Sequence, residues 1–305
     1  LPTGPTSTSR KKFRRANVQW HAGAELSAVW AAYVVATGAA CTDPKTEAVL
    51  IGPIADINNR FLSASIDVGV FWKNYVAQRM DDCDLSESAT TALLAAGCHE
   101  MQLDQMANVV KKRLADARAA FSGRYPKLNE QLVLRGRPLR ERWDTYGEGL
   151  LRGVERQIWN NSPPDDWWPT RTSGWLVQPL VGGDGHHDGS NEKFWIEAML
   201  TDADPAVPEV LRVAWLVTQI AIEKHTRQRS SDTALLAAWQ YASIPLVLAA
   251  AADVELVRGP ELPIGRAMEL WKFGDAAAAD KLTRWWKEFT EAPTPLPVAL
   301  RKLAV

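Results

Sequence analysis

The sequence predicts a mainly α-helical, multi-helix globular protein, and three observations carry that expectation. Apolar residues recur at spacings of three and four over most of the chain, which places them on one face of a helix. Of the 305 residues, 46% are hydrophobic and 23% charged, a balance that lets a chain bury one large core or two smaller ones. Proline and glycine stand where helices begin and stop, as at Asp204-Pro205 and at Gly123 and Pro126.

Residues 1–20 read as a flexible basic tail. Arg10, Lys11, Lys12, Arg14 and Arg15 surround Phe13 behind a Ser/Thr/Pro-rich start, a pattern of solvated tails more than of binding arms. Residues 21–128 read as an N-terminal helical region. Leu26, Val29, Trp30 and Tyr33 give a first core helix over 24–36, and Asp43-Pro44 marks a turn. Helix is expected again from about Ile54 to Met80, ending at a water-facing cluster of Asp81, Asp82 and Asp84. His99, Leu103, Met106, Val110, Leu114, Ala117 and Phe121 then form the buried stripe of a long helix, with His99 expected inside.

Residues 129–305 read as a C-terminal helical region. It opens near Pro138 and runs through Trp143, Leu150, Leu151, Val154 and Ile158, with a break or a close helix approach at Gly147 and Gly149. A Pro- and Trp-rich loop follows over 161–169. Apolar runs at Trp175–Val177 and Phe194–Leu200, joined by a Gly/His/Asp connection, predict a small β-hairpin near residues 175–200. Further helices are expected after Asp204-Pro205, from Asp232 with a kink at Pro245, after Gly265 and Asp275, and after Pro297.

Between residues 132 and 219 four segments stand out: Leu134 to Trp143 (LRGRPLRERW), Gly147 to Leu151 (GEGLL), Gln178 to Gly183 (QPLVGG) and Pro208 to Leu216 (PEVLRVAWL). On these segments the chain resembles an uncharacterised bacterial family of helical proteins with no assigned activity. The resemblance covers under a third of the chain. It implies a helical fold and transfers no catalytic residue.

The 35 basic and 36 acidic side chains nearly cancel, so no general nucleic-acid binding is expected. The three cysteines, Cys41, Cys83 and Cys98, contain no CxxC pair and argue against a disulfide framework or a structural zinc site. With no signal-peptide core at the start and no run of about 18 apolar residues, a transmembrane segment is not expected and the location reads as cytoplasmic.

Phosphate-binding glycine loops, GxSxG elbows and Rossmann fingerprints are missing. Cys98-His99-Glu100 resembles part of a zinc-peptidase helix, but position 103 is Leu where the second histidine would stand. Glu141, Asp144 and Glu148 share a helix face with Arg140, Arg142 and Arg152 nearby, which reads as a surface ion-pair network. Trp167 and Trp168, among 14 tryptophans, stand in the proline-rich loop and are the candidate partner-binding surface. The leading expectation is therefore a helical interaction or assembly protein, binding another protein or itself without a cofactor. The alternative is a metal-dependent hydrolase, in which Asp184, His186, His187 and Asp188 hold a divalent ion such as zinc or manganese and Glu192 or Glu197 is the general base.

Overall fold

The computed structural model describes residues 16–79, 85–160, 162–227 and 233–303. The basic run at 10–15, the Asp81, Asp82 and Asp84 cluster, and Cys83 lie outside them. The chain is mainly helical with one small sheet.

Strand β1 (Asn17–Ala22) opens the described chain, so the last part of the segment expected as a tail is a sheet strand. Helix α1 (Ala24–Ala36) follows; it is apolar around most of its circumference because most of it is buried, with Glu25 exposed in its first turn. Helix α2 (Pro44–Ser63) begins ten residues before the expected Ile54. Its cap is Asp43, whose side chain accepts the Lys45 N–H at 3.0 Å while Pro44 takes the first helical position, where a missing N–H costs nothing. The same carboxylate accepts from Thr46, Arg124 and Tyr125. Burial opposes its charge, but these bonds outweigh burial and hold its pKa well below the usual carboxylate range.

The single helix expected to Met80 is two. Ser65, at φ 56°, breaks the chain before α3 (Val68–Arg79). The long stripe helix is also divided, into α4 (Leu85–Ala95) and α5 (Glu100–Arg124). The Cys98 and Gly97 N–H groups close α4 on the Leu93 and Leu94 carbonyls, a Schellman end. His99 is exposed and caps α5, its Nδ1 accepting the Met101 N–H at 3.3 Å, which corrects the interior position expected for it.

Helices α6 (Leu128–Arg135) and α7 (Arg137–Trp159) lead to strand β2 (Arg171–Val177). Gly147 and Gly149 do not break α7. A close approach is present at Gly149, where a Cβ would stand 3.1 Å from Val254 Cγ1, and is tighter one turn further on, at Gly153, where a Cβ would stand 2.6 Å from the Ala250 Cβ. Strands β3 (Gly185–Asp188) and β4 (Lys193–Glu197) complete a four-stranded sheet in the order β1-β2-β4-β3. A hairpin does lie within the expected span 175–200, but its strands are not the two apolar runs. Those runs, β2 and β4, are parallel neighbours, and the antiparallel hairpin is β3–β4, formed by the polar connection itself.

Pairing of β1 with β2 joins the two helical regions in one sheet. The register aligns His21, Trp175, Trp195 and His186 across all four strands, and Trp30 of α1 packs on Trp195 at 4.3 Å. On the other face lies α8 (Glu209–Arg227), preceded by Pro208 instead of the expected Pro205. Residues 207–223 are buried without interruption. Helix α9 (Thr233–Asp253) packs on α7 and α8 and continues through Pro245. Helix α9 is long and apolar enough to cross a membrane by length and composition alone, and over half of that stretch is buried within this fold. Helices α10 (Ile264–Leu270), α11 (Ala276–Glu291) and α12 (Leu296–Leu303) close the structure.

Candidate functional site

Strand β4 ends at Glu197, whose side chain is fully buried. A carboxylate in that position needs donors, because an unpaired buried charge costs several kcal/mol or neutralises itself. The loop from Gln178 to Asp184 supplies them. Oε1 accepts the Leu180 N–H at 2.7 Å, the Val181 N–H at 2.9 Å and the Trp30 Nε1–H at 3.0 Å. Oε2 accepts the Gly183 N–H at 2.7 Å and the Asp184 N–H at 3.3 Å. Successive N–H groups can converge this way only where the backbone leaves the usual region. Gly183 has φ 128°, and a Cβ there would lie 2.4 Å from the Leu270 carbonyl oxygen.

Arg212 of α8 locks the loop from beneath. It is fully buried and donates to the Asp184 carbonyl at 2.5 Å, to the Glu197 carbonyl at 3.2 Å and to Glu209 Oε2 at 2.5 Å. Its Nε has no acceptor among the described residues. Sequence reasoning passed over Arg212. The signal was a lone arginine inside the apolar run Val210–Val217. Burial raises the Asp184 pKa to about 6; the Glu197 charge adds to the rise, while the Gly185 N–H, Arg212 and Lys272 oppose it.

The remaining proposed metal ligands separate. His186 leaves more than a third of its surface open, although packing on its inner side, with His187 and Lys73 nearby, lowers its pKa to about 4. His187 turns toward α8, with Nε2 at 3.2 Å from Glu223 Oε2, and Glu223 also accepts the Gly189 N–H at 3.0 Å. Asp188 holds the β3–β4 turn by accepting the Ser190 and Asn191 N–H groups. Glu192 pairs with Lys224 at 2.6 Å, and Glu197 is committed to its cradle. Among the described residues no three His, Cys, Asp or Glu side chains are placed to hold a metal ion together. The correction follows from geometry: residues 185–188 are extended, and successive side chains of a strand leave on opposite faces.

Trp167 and Trp168 are 3% and 4% exposed, so the pair is interior and not an open surface. Trp168 donates to Glu155 at 2.8 Å, and Trp167 meets Trp159 edge-on at 5.2 Å. Of the ion pairs expected on α7, Arg152 meets Glu148, whereas Arg142 reaches Asp202, Arg140 donates to the Val133 carbonyl, and Glu141 is paired by Arg137, which was not among the expected partners.

Four exposed apolar side chains stand at one end of the helices, while others, Leu134 and Leu200 among them, are scattered over the rest of the fold. Leu62 and Val70 flank the α2–α3 connection, and Leu94 and Met101 flank the α4–α5 connection. The Asp67 N–H donates to the Ala96 carbonyl at 3.0 Å, which brings both connections to one end of the helices. Met101 is 90% exposed and Leu62 68%.

Fold and sites together define a mainly α-helical protein built around a small mixed sheet, with a buried carboxylate cradle and an open apolar end. Comparison with known protein families, curated proteins and solved structures finds no match for the chain.

Proposed function

We propose that this is a helical interaction and assembly protein that associates through the apolar end of α2, α3, α4 and α5. The observation that carries the reading is the exposure of Met101 and Leu62 beside Leu94 and Val70 at one end of the molecule. A single exposed leucine means little, because much of any protein surface is apolar; several gathered at one end are characteristic of interaction sites. The hydrolase alternative loses its ligand set to the contacts described above, and the family resemblance over 132–219 contributes no activity.

A second copy of the chain is the partner to test. Native mass spectrometry of the unaltered protein is expected to give a dimer or larger oligomer, and Leu62→Lys with Met101→Lys a monomer of unchanged helical content. An unaltered protein that stays monomeric up to high concentration, or a double variant that stays oligomeric, overturns the assignment.

A further inference from the structure

The ends of α7 and α8, the start of α9 and the helix α12 line a cleft, open on one side, with a volume of about 330 Å³. This volume is at the lower end of the ~300–1,000 Å³ found for small-molecule pockets. Trp159, Trp167, Trp239 and Leu300 supply apolar walls. The indole N–H groups of Trp159 and Trp167 are buried and have no acceptor among the described residues. His225 lines the cavity with its Nε2 at 3.1 Å from the Asp166 carbonyl.

The cavity's charge is one-sided. Arg301 stands on its wall, no acidic side chain lines it among the described residues, and Arg301 has no ion-pair partner among them. Its place in the last turn of α12 suits the helix dipole, and none of its five donors is engaged among the described residues. Flat aromatic walls favour a ring, and a guanidinium at the edge favours a carboxylate, which it can bind with two parallel bonds.

We propose that this cavity binds a small aromatic monocarboxylate, its ring between the tryptophans and its carboxylate on Arg301. The site is separate from the apolar end of α2 to α5, so neither reading depends on the other.

The test is calorimetry with 2-naphthoate and its neutral counterpart 2-naphthamide. The acid is expected to bind one to one and more tightly than the amide. Arg301→Gln, a change at an exposed position, should weaken the acid about tenfold and leave the amide unchanged. Thr226→Trp, which fills the cavity from α8, should remove binding of both. Absence of naphthoate binding at millimolar concentration, equal binding of acid and amide, or an Arg301→Gln variant that binds the acid as before overturns the assignment. Arg301→Gln decides the matter alone if Thr226→Trp does not fold.

Discussion

The Trp30 Nε1–H donates to Glu197 Oε1 at 3.0 Å, joining positions 167 residues apart in the chain. One end of the bond lies on a helix of the N-terminal region and the other on the central sheet. Because the same oxygen accepts the Leu180 and Val181 N–H groups, the bond fastens α1 to the loop that caps the sheet.

Replacing Glu197 by Gln should therefore cost about 2–4 kcal/mol of stability, since an amide nitrogen would face N–H donors and leave them unpaired. Urea unfolding followed by far-UV circular dichroism measures this directly. A loss below about 0.5 kcal/mol would mean that the cradle adds nothing to stability.

Asp184 sets a pH dependence of defined sign. Its pKa rises from 3.8 to about 6 on folding, so the folded state holds the proton more tightly than the unfolded chain. Its contribution is complete below about pH 4 and is lost as pH rises through about 6. Asp184→Asn keeps an acceptor for the Gly185 N–H, so it should raise the melting temperature at pH 7.5 and flatten its decline between pH 4.5 and 7.5. A variant no more stable than the parent at pH 7.5 would show that the buried carboxyl is not under strain.

Trp168→Ala should cost about 3–5 kcal/mol, as for other buried tryptophans, because it opens a cavity and leaves Glu155 without its donor. Thermal unfolding measures the loss, and native mass spectrometry should show an unchanged subunit number. An unchanged melting temperature with weakened association would return Trp168 to the surface role that the proline-rich loop had pointed to.

Much of the helical architecture was legible because its signals are local. The stripe of Val110, Ala117 and Phe121 is buried as the spacing predicts, and Asp275 caps its helix by accepting the Ala278 N–H at 2.8 Å. Strand partners were less legible. Nothing near Trp175 in sequence says that it pairs with His21 and Trp195, and a connection of Gly, His and Asp does not look like a strand until β4 lies beside it. The ligand-type residues at 184–188 were found correctly as polar and clustered, yet their clustering in sequence was not clustering in space.

By itself the sequence determined the fold class, the positions of most helices and the presence of a short strand-forming segment between them, because capping and apolar periodicity act over a few residues. Only the tertiary structure decided which side chains face inward together. It buried Trp167 and Trp168, sent His187 to Glu223 and made Glu197 the acceptor for a loop and a distant helix. The physical reason is that an orphaned polar group inside a protein must find a partner wherever the packed chain supplies one, and that partner can lie any distance away in sequence.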